Sequence, residues 1–454
     1  MATHLSRTCD ATSGSGYSQK WTWSGWVKRG TIGSDQGIIG NKRDDNNTNS
    51  RFRLFFKSND KLAWECKDSG GSDDSSFETN VRFRDTSAWY HITFIYDTAN
   101  STATERIKCY INGKDLRTEY GGFSSDNQAS SGFGTLWSSA VYNYLGTAGN
   151  SSGIAMQFDG RMAHCHLTYG YRYEASTFGE FDSTSGIWKI KTSPSVTYGS
   201  QGYFLLKDNA SVTDQSGEGN NYTATGTLTA CKDNPSNNYA TMNPQHNYYE
   251  GGTYAHCNNQ ITTGGSNKYT YNNSTIGVTK GKWYMEYKWI SGGTDCVFGI
   301  TDRHTDSSTK ELGNDNKMYA FRANGTVRNS NGNYSPWSGT SYTTGDIIGV
   351  ALDMDNHKLY FSKNGTWQNS GDPTSGSTGT GAVSISTSPR ESHYWFSACM
   401  YDDAVGVLAS NFGDGYFATT AISSEGSNGN GSLFEYDVPS GYYALNSKNL
   451  NTYG

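Results

Sequence analysis

Proline is scarce in this 454-residue chain, at seven, and hydrophobic residues make up only 34% of it. No apolar run approaches the roughly 20 residues of a helical membrane span, so a spanning helix is not expected. Glu, Lys, Leu and Ala are too sparse for long helices. The formal charge is -6 and no basic stripe is present. A protein that grips a phosphate backbone needs clustered cations, so nucleic acid is not among the expected partners. The eight cysteines stand singly and none forms CxxC, which argues against a zinc ribbon. The stretch from Met1 to Asp10 lacks the charged-then-apolar pattern of a secretion signal, so the chain is expected to be made and used without secretion. Buried free thiols, not disulfides, are the matching expectation.

What is present decides the fold class. A mean hydropathy of -0.70 would suit a disordered chain. The 12 Trp, 32 Tyr and 19 Phe argue against disorder, because they supply large buried area per residue. The 54 glycines, with dense Ser, Thr and Asn, fit short strands joined by tight turns that accept positive φ. The expected fold is all-β, as two tandem antiparallel β-sandwiches joined by an irregular bridge.

Alternation places the strands. Trp21 to Val27 puts Trp21, Trp23 and Gly25 on one face and Trp26 near the other. Arg51 to Phe56 and Lys61 to Cys66 flank a hairpin turn over 57–60. Ala88 to Asp97, Arg106 to Ile111 and Met156 to Tyr169 follow, the second closed by Asn112-Gly113, a type I′ turn signal. Residues 200–254 are turn-rich and poor in aliphatics, and Tyr203, Phe204, Leu205 and Tyr222 are expected to pack them on their neighbours. The second half restarts with Gly281 to Trp289, Val297 to Ile300, Asp346 to Asp353 and His357 to Lys363, closed by Asn364-Gly365. Tyr394 to Met400 and Gly406 to Phe412 finish the sheet. The expected domains are 1–195, a bridge over 196–255 packed on both domains, 256–415, and a loop-rich tail over 416–454.

Several segments carry family resemblances. Trp21 to Arg29, Trp89 to Ile92, Tyr110 to Gly113 and Phe158 to Ala163 resemble the laminin-G-like, concanavalin A-like jelly-roll family. Gly281 to Glu286, Gly345 to Val350, Leu359 to Gly365 and Asn411 to Gly413 resemble a SPRY domain. Phe178 to Asp182, Gly186 to Trp188 and Asn237 to Pro244 are similar to segments of structural proteins of marine tailed phages. Together these resemblances imply a tailed-phage virion protein with two recognition folds whose loops select the partner.

The jelly-roll family also hosts glycoside hydrolases, which need two carboxylates flanking the scissile bond. Glu180 and Asp182 are the nearest pair, but Ser185 stands where a third acid is expected, so a surface turn is the reading. Asp353 and Asp355 read as turn acids. Gly149 to Gly153 matches GxSxG without the strand-then-helix setting of a nucleophile elbow. His164 and His166 share one strand face with Cys165 on the other, two metal ligands without the rest of a set; that face is read as solvent or interface. The family resemblance points to calcium at Asp97 or Asp159, but the acid cluster such a site uses is missing. Neither cofactor nor metal is expected.

Aromatic faces suit sugar rings and protein anchors. Tyr142, Tyr144, Tyr334, Trp337 and Tyr342 are read as loop aromatics and candidates for a binding surface. The SPRY resemblance implies binding through loops at one end of that sandwich, where Arg322, Tyr334 and Trp337 fall in one loop region. The resulting expectation is a non-catalytic structural and adhesion protein on the virion surface, as a short tail fibre, spike or capsid-decorating fibre. Its expected partners are other virion proteins, host surface glycan and further copies of itself in a homo-oligomer. The alternative is a polysaccharide depolymerase of a tail spike.

Overall fold

The computed structural model describes residues 3–9, 19–43, 51–67, 71–135, 141–150, 153–207, 209–249, 252–265, 267–303, 311–401 and 403–454. The chain divides into two compact units, residues 1–230 and 231–454. Among the described residues no helix is long and apolar enough to cross a membrane.

The first unit opens with β1 (His4–Thr8), β2 (Lys20–Arg29), β3 (Gln36–Arg43), β4 (Arg51–Phe56), β5 (Lys61–Lys67) and β6 (Asp73–Arg82). It continues with β7 (Tyr90–Asp97), β8 (Ile107–Ile111), β9 (Lys114–Asp115), β10 (Phe123–Asn127), β11 (Val141–Leu145) and β12 (Ala148–Asn150). The last strands are β13 (Gly153–Ala155), β14 (Gly160–Tyr169), β15 (Gly179–Phe181), β16 (Trp188–Ile190), β17 (Tyr203–Leu205) and β18 (Thr223–Thr225). An eight-stranded sheet, β10-β6-β5-β4-β3-β11-β1-β18, faces a six-stranded sheet, β17-β14-β2-β7-β8-β9. Between them lies an aromatic core in which Trp21 contacts Phe52, Trp64, Phe94 and Tyr96 at ring separations of 5.3 to 5.9 Å. Two of the buried indoles are answered: Trp21 Nε1 donates to Thr135 Oγ1 at 3.0 Å and Trp64 Nε1 to Ser75 Oγ at 3.1 Å. Gly25 is required here, since a Cβ would sit 2.6 Å from the Trp23 ring. Asn112 and Gly113, with φ of 49° and 78°, make the expected type I′ turn between β8 and β9.

The second unit begins with β19 (Met242–Tyr249), β20 (Thr253–Ala255), β21 (Gln260–Thr262), β22 (Tyr269–Val278), β23 (Lys282–Ser291) and β24 (Asp295–Thr301). Next come β25 (Tyr319–Arg322), β26 (Val327–Asn329), β27 (Gly332–Asn333), β28 (Ile347–Asp353), β29 (Lys358–Lys363) and β30 (Thr366–Trp367). It ends with β31 (Val383–Ser384), β32 (Tyr394–Tyr401), β33 (Val407–Asn411), β34 (Tyr416–Phe417), β35 (Thr420–Ala421) and β36 (Tyr443–Ala444). A sheet ordered β19-β22-β32-β24-β25-β26-β27 faces one ordered β20-β21-β33-β23-β28-β29-β30, with β31 beside β29 and β36 beside β23. Tyr287 stacks on Phe298 across the sandwich at 4.6 Å. The Asn364-Gly365 turn repeats the first unit's device, with φ of 47° and 78°.

The segment read as a bridge contributes to both units: β17 pairs with β14 in the first, and β19 with β22 in the second. The C-terminal stretch is loop-rich, yet it is not peripheral. Phe434, Val438, Tyr442 and Ala444 build a second core against Tyr284 and Tyr360, on the outer face of β23 and β29. All eight cysteines are free thiols, six of them buried.

Candidate ligand-binding surfaces

The outer face of the six-stranded sheet in the first unit is closed. Ser24, Trp26, His91 and His166 share this face by register, and the β15–β16 hairpin lies over it. Trp188 of that hairpin stacks on His91 at 5.8 Å. Gly113 and Gly179 make room for the indole, because a Cβ at either would lie 2.3 or 2.5 Å from its ring. Trp188 Nε1 donates to His91 Nδ1 at 3.0 Å, and His91 Nε2 meets Ser24 Oγ at 2.8 Å. An indole N–H can only donate, so Nδ1 accepts and the single imidazole proton sits on Nε2, facing the serine. Burial holds this ring neutral, its pKa pushed down to about 3. A serine nucleophile needs a lone pair facing its hydroxyl. Here a proton faces it, so the pair is a structural hydrogen bond.

His166 is also sealed, which corrects the expectation of a solvent or interface face. It stacks on Phe204 at 3.9 Å, packs against Phe178 at 5.3 Å and bonds the Tyr198 hydroxyl at 2.9 Å. Alternation did place His164 and His166 on one face and Cys165 in the core. The second layer above them had no signal in the strand itself. Among the described residues no cluster of three or more His, Cys, Asp or Glu could hold a metal ion. Asp97 is paired at 3.8 Å with both Lys20 and Arg172.

Tyr142 and Tyr144 stand on strand β11 rather than in a loop, a first correction. They occupy the outer face of the eight-stranded sheet, opposite Thr8 and Ser6 of β1. Their rings stack at 6.2 Å and 20°, and His4 meets Tyr144 edge-on at 5.9 Å. Tyr142 is 37% exposed, whereas Tyr144 is 7% exposed and serves as the inner step of the ladder. The alternation that buries Val141, Asn143 and Leu145 is what turns both tyrosines outward.

The candidates in the second unit do not converge on one loop. Arg322 ends β25, where it donates to Asp295 at 2.8 Å and forms an ion pair with Glu311 at 2.6 Å. Glu311 also takes Arg328, and its burial, with Asp295 nearby, pushes its carboxyl up to about 7 against the pull of the two guanidiniums. Trp337 and Tyr342, at 6% and 4% exposure, are core residues, which corrects their reading as binding-surface aromatics. The Trp337 indole donates to the Gly381 carbonyl at 2.9 Å, and the Tyr342 hydroxyl lies 2.7 Å from both the Cys296 and Phe321 carbonyls. These polar anchors let irregular segments supply aromatic core, a pattern that periodicity does not mark. Tyr334 is half-buried, its hydroxyl accepting from Ser384 N–H at 3.1 Å.

The acid pairs serve the backbone. Asp182 accepts from the N–H groups of Thr184 and Ser185 and from Ser185 Oγ, at 2.9 to 3.0 Å, and Lys189 lies 3.3 Å from both Asp182 and Glu180. These donors hold the half-buried Asp182 carboxyl down to about 2. Asp353 caps the turn at Asn356 and pairs with Lys282 at 3.1 Å, while Asp355 accepts from Gly281 N–H. Gly149, Asn150 and Gly153 fall in the β12–β13 hairpin, with strand on both sides, and Ser151 and Ser152 lie outside the described residues.

Glu286 was not anticipated. Its carboxylate lies on the outer face of β23, wholly buried, and accepts from the N–H groups of Glu435 and Tyr436 at 2.9 Å each. Tyr284 and Asn411 add bonds at 3.2 and 3.3 Å. Burial pushes it up to about 7 while the four donors pull it down.

Residues 6–167 match the model of the concanavalin A-like lectin/glucanases superfamily, and residues 282–384 match the SPRY domain. The chain thus carries a concanavalin A-like domain towards its N-terminus and a SPRY domain towards its C-terminus. The ATP-dependent RNA helicase DDX1 of Xenopus laevis is 38% identical over 92 residues, which are 20% of this chain and only 12% of that relative. Among solved structures, the SPRY domain of human HERC1 is 17% identical with a TM-score of 0.28, over 34% of this chain and 87% of that one. A putative carbohydrate binding protein from Bacteroides ovatus is 13% identical with a TM-score of 0.34, over 50% of this chain and 57% of that one.

Proposed function

We propose that this protein is a non-catalytic adhesion protein of a tailed-phage virion, a short fibre, spike or capsid decoration, which presents the Tyr142–Tyr144 face to a host glycan. The observation that carries the glycan reading is that ladder: two stacked rings on the outer sheet face, the exposed Tyr142 backed by the buried Tyr144, flanked by the hydroxyl-bearing Ser6 and Thr8. A sugar ring binds by laying its C–H face on an aromatic and its hydroxyls on polar neighbours, and this face offers both. The lectin-containing superfamily of the first domain supports the same reading. The sealed opposite sheet and the Lys189-neutralised acids favour binding over hydrolysis. The virion setting is supported by the phage-like segments at 178–182, 186–188 and 237–244. Single sites of this kind are weak, so the protein acts as a homo-oligomer anchored to other virion proteins, where several sites add by avidity. Mass spectrometry and immuno-gold labelling of purified virions test the setting. The protein is expected at stoichiometric copy number on the particle exterior, and its absence from particles would overturn that part of the reading.

A further inference from the structure

Inside the second unit, a band of hydrogen-bonding side chains goes unanswered by the protein's own groups. Tyr287 faces the core and stacks on Phe298 of the opposite sheet. One strand outward, Ser410 is the register partner of Tyr287, and its N–H bonds the Asn259 carbonyl at 2.8 Å. In the opposite sheet the same path runs from Phe298 to Ala398 and on to Asn272. Ser410 and Asn259 therefore lie opposite Ala398 and Asn272. Tyr254 closes this edge, its ring in the same core and its hydroxyl donated to Asn272 Oδ1. Thr270 lies two residues from Asn272, on the same face.

These side chains are sealed: Thr270, Asn272, Tyr287 and Ser410 are 0% exposed, Asn258 1% and Asn259 2%. Yet Thr270 Oγ1, Asn272 Nδ2, Tyr287 Oη, Ser410 Oγ, Asn259 Oδ1 and both amide atoms of Asn258 find no partner within the protein. Buried polar atoms are almost always bonded, and seven left bare within one unit would remove much of its stability. Three amides and three hydroxyls carry no formal charge. The carboxylate that touches this set, Asp414, accepts from Asn259 Nδ2 at 2.7 Å. Whatever satisfies this set must be neutral and must both donate and accept, which is hydroxyl chemistry.

We propose that this seam is a built internal site for hydroxyl oxygens, held between the two sheets as ordered water or as the hydroxyl groups of a small polyol. The turn beside it, His256-Cys257-Asn258, has three consecutive left-handed residues with φ of 52°, 56° and 67°. Such strain persists only where the surroundings hold it, so the β20–β21 turn is the segment that yields first to admit a guest.

Single-group deletions in the full chain decide the matter by sign. Tyr287→Phe, Ser410→Ala and Thr270→Val each remove one hydroxyl or replace it with a methyl group. If the seam is occupied, each lowers the melting temperature, by roughly 2–4 °C. If the hydroxyls are bare, deletion relieves their desolvation and the melting temperature holds or rises, which overturns the proposal. Titration with glycerol and erythritol then separates the two sources. A saturable rise in melting temperature that Ser410→Ala abolishes assigns a polyol. A rise shared equally by wild type and variant, alongside the deletion losses, assigns ordered water.

Discussion

Each unit covers the outer face of one of its sheets with a later segment of its own chain, and the two do so with opposite chemistry. In the first, the β15–β16 hairpin inserts Trp188 against a neutral imidazole, and two glycines clear space for the ring. In the second, a buried carboxylate, Glu286, grips the backbone of residues 435 and 436. An aromatic plug depends on shape and is insensitive to salt. A buried carboxyl group depends on its donors, because a buried polar group left unbonded is costly. The same architectural need is met once by packing and once by hydrogen bonding.

The largest effect should come from the carboxylate. Glu286→Ala leaves two backbone N–H groups and the Asn411 amide buried without their acceptor, a loss of about 4 kcal/mol that lowers the melting temperature by roughly 10 °C. A loss below about 1 kcal/mol by denaturant titration would show that the segment over β23 stays in place without it.

Trp188→Ala should cost less, about 2–3 kcal/mol, because the indole is only half-buried. Its sharper readout is His91. Opening the plug hydrates the ring, and its NMR titration should move from about 3 up towards the ordinary histidine value. A ring that stays untitratable would mean that other groups seal the face.

The pH response should split the units. His91 refuses the proton that the unfolded chain takes near 6.5, so its contribution is full above that value and is lost as pH falls towards 3. Glu286 holds its proton up to about 7, whereas the unfolded chain releases it near 4.3. Its contribution is therefore full below about 4.3 and is lost as pH rises to 7. Between pH 7 and pH 5, the opening free energy from hydrogen exchange should fall at 179–190 and rise at 435–436. Parallel changes in both segments would break the comparison.

Much of this fold is legible in the sequence where local rules act alone. Asn112-Gly113 and Asn364-Gly365 mark their turns because left-handed φ is inexpensive only for such residues. Alternation from Trp21 and from Trp283 marks the central strands. The candidate site was harder. Tyr142 and Tyr144 stood out as aromatics, but their strand is short and Gly- and Ser-rich segments flank it, so it read as a loop. Trp337 and Tyr342 are buried by contacts to Gly381, Cys296 and Phe321, all from other parts of the unit. His166 and Glu286 depend on covering segments 12 to 150 residues further along the chain, with Phe178 at the near end and Tyr436 at the far end. No window of sequence contains both halves of such a contact.

Ligand binding by the first unit is proposed to run through its Tyr142–Tyr144 face and not through the sheet that Trp188 seals. Titration calorimetry of the full chain with host envelope glycan, comparing wild type with Tyr142→Ala, tests it directly. The predicted result is a loss of binding of about tenfold or more, near 1.4 kcal/mol, with an unchanged melting temperature, because this ring is exposed. Binding by Tyr142→Ala equal to that of wild type would contradict it.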